Sequence, residues 1–201
     1  MNSKSLLLLF LALFFAFFLG CKDKEEDDNT PDQPQGELGD VGNTWTAKFN
    51  DTHDIKGEII ENDNGLITVE INLGGDIYTV KGRLSSDKLE DFMHSNNDLT
   101  KPMTMVEWDA EVDDVYTASI GELYFVRQIL EIESYYVPAL EQSLEMIGVY
   151  EYIPDAINFN LFGWTVRAIT WYWHQTYGLV CIDIWMDTGE FFTIHFLTIE
   201  L

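Results

Sequence analysis

The chain has 201 residues, of which 11 are Lys or Arg and 35 are Asp or Glu, for a formal net charge of −24. Such a surface repels polyanions, which argues against nucleic acid and against an anionic lipid surface as partners. Cys21 and Cys181 are the two cysteines, too few for a disulfide framework. Stability must therefore come from a hydrophobic core, for which the roughly 160 residues behind the leader are enough.

The chain opens on Met-Asn-Ser-Lys, a short start made positive by Lys4, and then runs uncharged and apolar from Leu6 to Leu19. About 14 residues suit the apolar core of a secretory signal and fall short of the roughly 20 that span a bilayer. Residues 1–20 are expected to be removed. The run ends at Phe18-Leu19-Gly20-Cys21 rather than at an Ala-x-Ala type site. A small residue before the cysteine gives a peptidase access to the bond, and the thiol can carry a thioether-linked diacylglycerol. The junction resembles the lipobox of bacterial lipoproteins: Gly20 and Cys21 match, while Phe18 stands where Leu is usual. That resemblance implies lipidation of Cys21 and a membrane contact that is anchored rather than spanning. The alternative is an ordinary cleaved signal followed by an unmodified cysteine.

Residues 21–40 read CKDKEEDDNTPDQPQGELGD, in which only Leu38 could pack, so an extended flexible acidic tether is expected. Its first part, Lys22, Asp23, Lys24, Glu25, Glu26, Asp27 and Asp28, resembles the export signal that follows the anchor cysteine in surface-displayed lipoproteins of the Bacteroidota. The resemblance implies an outer-membrane protein facing the cell exterior. The other reading is a solvated tether that carries no address.

From Val41 to Leu201 the dominant period is two, which predicts one β-rich domain. Trp45, Ala47 and Phe49 alternate with Thr46 and Lys48, and a second strand is expected over Ile55 to Glu61. Asp63-Asn64-Gly65 then supplies a tight turn, because Asn and Gly tolerate positive φ. In the next strand Ile67, Val69, Ile71 and Leu73 face one way, and the chain returns after Gly74-Gly75 through Tyr78, Val80 and Leu84. Ser85-Ser86-Asp87 suggests the start of a short helix carrying Leu89, Phe92 and Met93. Strands follow at Met103 to Trp108 and, around a Gly121-Glu122 turn, at Val115 to Ser119 and Leu123 to Ile132. Pro138 to Ile147 reads at helical spacing through Leu140, Leu144 and Ile147, with Pro138 suited to a first turn and Gly148 to its end.

Strands resume at Trp164. The stretch Gly178 to Phe196 echoes Gly65 to Gly82, with Val180, Ile182, Ile184 and Met186 opposite Ile67, Val69, Ile71 and Leu73; duplication and convergence of two amphipathic hairpins both account for it. The closing strand, Phe191 to Leu201, is apolar on both faces, so it is either central in the sheet or covered by a partner. The fold class expected is mainly β (α+β), a single curved antiparallel sheet or half-barrel with one or two short helices packed on its concave side.

VGNTWTAKF near the start, EVDDVYTASI at Glu111 to Ile120 and YGLVCIDIW near the end resemble secreted Bacteroidota lipoproteins of mostly unassigned function. Their pattern is a Val-Gly-Asn-x-Trp opening, a middle Gly-Asp-x-Trp or Tyr segment and a late Gly-Leu-Val. This chain has Asp113-Asp114-Val115-Tyr116 in the middle segment and so lacks the glycine that a tight turn there would use. Some of these proteins are similar to the half-barrel sheets of lipoprotein-carrier folds, and the resemblance brings no catalytic residues.

No catalytic or metal motif emerges from the residues. His53, His94, His174 and His195 have no zinc spacing, and no nucleophile elbow or phosphate-binding glycine loop is present. Asp183 on the same face as Cys181 should raise the thiol pKa, which reads as a small filler rather than a nucleophile. Asp109, Glu111, Asp113 and Asp114 are the densest acids and lack the spacing of a calcium loop.

The segment FGWTVRAITWYWHQTY places aromatics on both faces of a strand. Trp171 and Trp173 share one with Arg167 and Ile169, Tyr172 lies on the other with Val166, Ala168 and Thr170, and Trp185 stands beside Asp183. Exposed rings stack on sugars or apolar ligands. The function expected is a non-enzymatic ligand- or partner-binding module without a cofactor, held to the membrane through Cys21. Two alternatives stand beside it: glycan binding through Trp171, Trp173 and Trp185, and hydrolysis by dispersed acids.

Overall fold

The computed structural model describes residues 37–49 and 53–201, so Cys21 and the charged run from Lys22 to Asp28 lie outside the described residues. The strands are β1 (Thr44–Phe49), β2 (His53–Asp63), β3 (Leu66–Leu73), β4 (Asp76–Leu84), β5 (Lys88–Asp91), β6 (Met103–Glu107), β7 (Val115–Ile120), β8 (Leu123–Val137), β9 (Gln142–Tyr152), β10 (Phe159–Leu161), β11 (Trp164–His174), β12 (Gly178–Met186) and β13 (Phe191–Glu200). Among the described residues helix is confined to single 3₁₀ turns at Glu37–Gly39, Met93–Ser95, Pro138–Leu140 and Pro154–Ala156. Among the described residues no helix is long and apolar enough to cross a membrane.

All strands belong to one antiparallel sheet in the order β6-β5-β4-β3-β2-β1-β13-β12-β11-β9-β8-β7, with β10 pairing off β11. Two meanders, β1 to β6 and β7 to β13, are thus joined side by side where the first strand pairs with the last, Trp45 opposite Ile199. The closing strand is central, with both edges paired; Ile194 and Phe196 are buried in the interior, while Phe191 and Leu197 stay exposed. The two free edges, β6 and β7, are consecutive in the chain, so the sheet curls into a nearly closed barrel with one seam. Register shifts bend it, at Ile59/Glu61 in β2, Ile129/Glu131 in β8 and twice in β11; extra residues of this kind kink a strand and increase its twist.

Turn chemistry holds the meanders in register. Asn64 and Gly65 have φ of 51° and 87°, and a Cβ on Gly65 would sit 2.5 Å from the Leu84 carbonyl oxygen, so only glycine fits. Asp113 takes φ 77° where the related pattern has glycine, and Asp114 accepts from the Glu111 N–H at 2.8 Å; the tight turn therefore survives the substitution, since Asp tolerates the left-handed region.

Both expected helices are mostly strand, with helix reduced to the single turns at Met93–Ser95 and Pro138–Leu140. Ser85 and Asp87 make a hairpin turn instead of a helix cap, with Ser85 N–H donating to the Lys88 carbonyl at 3.0 Å, and Leu89 then lies in β5. These side chains hydrogen-bond to nearby backbone in turns as readily as at caps. In β9, Leu144 and Met146 pack on the outer face with Val137 and Val180, whereas Ile147 and Val149 join the interior core. Switching between two covered faces imitates helical spacing.

The place expected for a helix inside the sheet is taken by the β10–β11 hairpin. Phe159 and Leu161 are buried, and at the hairpin tip Phe162 touches Tyr78 of β4, ring centroids 5.0 Å apart, with the Tyr78 hydroxyl donating to the Phe162 carbonyl at 3.1 Å. Strands β4 and β11 lie far apart in the sheet order, so this contact spans its interior.

The seam is crossed by one buried cation. Arg127 of β8 is fully buried; its Nε donates to Glu151 Oε2 of β9 at 2.5 Å, its Nη1 pairs with Asp91 of β5 and also donates to the Thr104 carbonyl of β6 at 3.0 Å. Arg127→Leu removes the cation that Asp91 and Glu151 share and leaves both carboxylates buried without it, a loss of about 3–5 kcal/mol for a broken buried pair. Denaturant unfolding checks this; a loss under about 1 kcal/mol would contradict it.

Candidate functional site

The interior of the sheet contains a cavity of about 200 Å³ bordered almost wholly by apolar side chains. The alternation read from the sequence places Ile67, Val69, Ile71 and Leu73 on one face of β3, and all four border the cavity. From the other meander Trp171 and Trp173 of β11 and Ile182 and Ile184 of β12 face them. Register enforces this, because residues opposite one another on antiparallel strands share a face: Trp171 stands opposite Ile182, and Trp173 opposite Leu179. Leu38, in the segment expected to be tether, closes one end; a Cβ on Gly178 would lie 2.6 Å from Leu38 Cδ1 and 3.2 Å from Trp45 Cζ2. Gly178, with φ 73°, is the glycine of the late Gly-Leu-Val motif, and this close approach is the physical reason for it.

Trp171 is only 4% exposed. The indole N–H groups of Trp171 and Trp173 are buried with no hydrogen-bond acceptor, a state that costs about 1–3 kcal/mol for a buried donor. By contrast Trp45 Nε1 donates to the Tyr177 carbonyl at 2.8 Å.

Trp185 does not join these two. It lies opposite Ala168 on the outer face, against Phe191 and Tyr150 with ring centroids 4.9 and 5.9 Å away. The three tryptophans therefore form no common stacking surface. Two bulges explain where face assignments slip. One between Val166 and Ala168 turns Arg167 outward, where it is exposed, and away from Trp171. The other, opposite Tyr172 and Trp173, puts Leu179 rather than Val180 on the interior.

The polar end of the interior was missed by the sequence reading. Asp91 borders the cavity and is paired with Arg127; behind it His94 Nε2 lies 2.7 Å from Glu151 Oε1, its ring stacked on Phe125 at 4.0 Å. The signal is present in the sequence: Arg127 falls between Phe125 and Ile129, and Glu151 between Val149 and Ile153, each a charge at a core-facing position. Burial alone would raise the Glu151 pKa, but Arg127 and His94 outweigh it and hold the carboxyl down to about 2. Two carboxylates do converge, then, but on a guanidinium, and the depressed one is the opposite of a general acid.

On the outer face a second hollow of about 290 Å³ is lined by Tyr135, Tyr172, Cys181, Asp183 and His195 among others. Cys181 Sγ lies 3.4 Å from His195 Nδ1, and burial, aided by Asp183, pushes the thiol pKa up to about 12, so it stays protonated as its neighbourhood in the sequence implied. Asp183 itself accepts from Thr193 Oγ1 at 2.6 Å and Tyr172 OH at 3.2 Å. Among the described residues no group of three or more His, Cys, Asp or Glu is placed to hold a metal ion.

The fold and interior define a mainly β protein whose nearly closed antiparallel sheet surrounds an apolar chamber. No protein-family description and no curated protein matches the chain. Among solved structures it is similar to a candidate exported protein with a YmcC-like fold from Bacteroides fragilis, at 10% identity and a TM-score of 0.53, over 86% of this chain and 100% of that one. At that identity the likeness is one of fold.

Because Glu151 is held at about 2 in the folded protein against 4.5 ordinarily, its contribution is complete above pH 4.5. It is lost as pH falls from there toward 2, a change of about 3 kcal/mol. Glu151→Gln should flatten the acid limb of a stability profile over that window; an unchanged acid limb would contradict the assignment.

Proposed function

We propose that the protein is an exported envelope lipoprotein, anchored through Cys21, whose domain binds an apolar ligand inside the sheet without catalysing a reaction. The observation that carries the binding reading is the cavity of about 200 Å³. A dry apolar hole of about 150 Å³ already takes up benzene, since neither water nor the lining gains by leaving it empty. The size suits a small apolar ring or a medium-length hydrocarbon chain rather than a sugar, whose hydroxyls would find few partners there.

The envelope reading rests on the junction at Cys21, on the acidic run from Lys22 to Asp28 as an export signal toward the outer surface of the outer membrane, and on the fold shared with a candidate exported protein of Bacteroides fragilis. Cys21→Ala is then expected to release the chain from the membrane fraction. A surface role for Trp185 with Phe191, half exposed at 50%, concerns a different face and does not depend on the cavity.

Titration with 1-aminoanthracene tests the binding reading. Its fluorescence should rise on addition of the protein, Val69→Phe should weaken binding at least about tenfold by filling the cavity, and Trp185→Ala should leave it unchanged. Absence of binding to the unaltered protein, or binding indifferent to Val69→Phe in a folded variant, would overturn it.

A further inference from the structure

The outer hollow of about 290 Å³ lies on the opposite face of the sheet from the interior cavity and has a different chemistry. We propose that it binds a small organic cation, a quaternary ammonium head with no anionic group, held against the rings of Tyr135 and Tyr172 and balanced by the Asp183 carboxylate. The inference does not depend on the apolar ligand of the interior.

Tyr135, Tyr136 and Tyr172 line the hollow together with Asp183, Thr193 and His195. It is open to solvent, since Tyr136 is 63% exposed and Thr193 and His195 are exposed too. The rings of Tyr135 and Tyr172 meet at 65° with centroids 5.7 Å apart, as two walls of a corner. The Tyr172 hydroxyl donates to Asp183 Oδ2 at 3.2 Å, so one residue touches both the second ring and the acid. A cation is attracted to a ring from as far as about 6 Å, which brings both rings and the carboxylate within reach of a single head group.

The charge at this place is negative and has no counterion on the chain. Glu131 adds to Asp183: a Cβ on Gly148 would lie 3.0 Å from Glu131 Cγ and 3.3 Å from Tyr172 Cε1, which puts that acid beside the Tyr172 ring. Burial, then Glu131, Glu133 and Asp183, push the Tyr135 pKa up to about 12. Every described lysine and arginine lies elsewhere. Lys56, Arg83, Lys88 and Lys101 form ion pairs in the first meander and Arg127 at the seam, and Lys81 belongs to β4. Lys48 is exposed and outside the lining, and Arg167 stands roughly 16 Å from Tyr172 along β11. His195 is the basic group of the lining, and its Nδ1 rests on the Cys181 thiol at 3.4 Å.

Asp183 accepts from Thr193 Oγ1 at 2.6 Å as well as from Tyr172, so it lacks a countercharge rather than a donor. A quaternary head supplies charge, donates no hydrogen bond and presents methyl groups to the rings. A primary ammonium would bring three donors and a tightly held hydration shell, and an anion would be repelled.

The test follows the N-methyl proton signal of choline with the full chain. The signal should move upfield on binding, because ring currents shield protons above an aromatic face. 3,3-Dimethylbutanol, the same shape with carbon in place of the charged nitrogen, should displace choline at least about tenfold less effectively. Phosphocholine should bind more weakly than choline, since its phosphate meets Asp183 and Glu131. Asp183→Asn and Tyr172→Leu should each weaken choline by about fivefold or more in variants whose thermal unfolding shows them folded, and Val69→Phe, which fills the interior cavity, should leave it unchanged. No methyl shift at any choline concentration, displacement by the neutral analogue as effective as by choline, or tighter binding of phosphocholine would each overturn the inference. So would affinity indifferent to both Asp183→Asn and Tyr172→Leu. The competition in the unaltered protein decides the matter even if a variant does not fold, and none of these results touches the interior ligand.

Discussion

A single buried guanidinium determines how this sheet ends. Two meanders share a long continuous ladder through β1 and β13, but their free edges meet without a regular strand pair, and backbone groups at such an edge invite pairing with another chain. Arg127 answers that from inside: it gives hydrogen bonds to β6 carbonyls and ion pairs to β5 and β9, which fixes the distance between the edges. Buried ion pairs add little net stability compared with apolar packing, yet are costly to break, because the partner charges cannot return to water. The clasp therefore selects one closed geometry more than it strengthens it.

Closure at the seam is what gives the interior its character. With β6 and β7 brought together, the apolar faces of β3 and β12 confront one another across a space that the side chains do not fill, and the β10–β11 hairpin reaches through it to Tyr78. Phe162 at the tip adopts φ 49°, an unusual backbone for a bulky residue, and it borders the cavity. Hydrocarbon walls and one ion-paired polar end, where Asp91 meets Arg127, define the chamber. The two acids that converge at its polar end, Asp91 and Glu151, are both paired with Arg127.

Much of this was legible in the sequence where a single rule dominates locally. Asn64-Gly65 and Gly74-Gly75 mark hairpins because positive φ leaves few alternatives, and the alternation of Ile67 to Leu73 identifies cavity-facing positions because that strand has one wet face. The sequence reading failed where two faces are covered at once: Leu144 and Ile147 pack on opposite sides of β9, and together they mimic a helix. Bulges at Val166/Ala168 and opposite Tyr172/Trp173 shift parity by one residue, so strict counting misplaced Arg167 and Val180 while leaving Trp171 and Trp173 on the same face. The charges at core positions, Arg127, Glu151 and Asp91, were visible as anomalies, but their partnership depends on three strands that only the closed sheet brings together.

The account stands on Arg127 as the clasp of an otherwise complete ring of strands, and site-resolved hydrogen exchange on the Arg127→Leu variant tests that most directly. Loss of the clasp should raise exchange selectively in β5, β6, β7 and β8 while β1 and β13, paired across the opposite side of the sheet, keep their protection. Exchange that rises uniformly across all strands, or not at all along the seam, would show that closure does not depend on this residue.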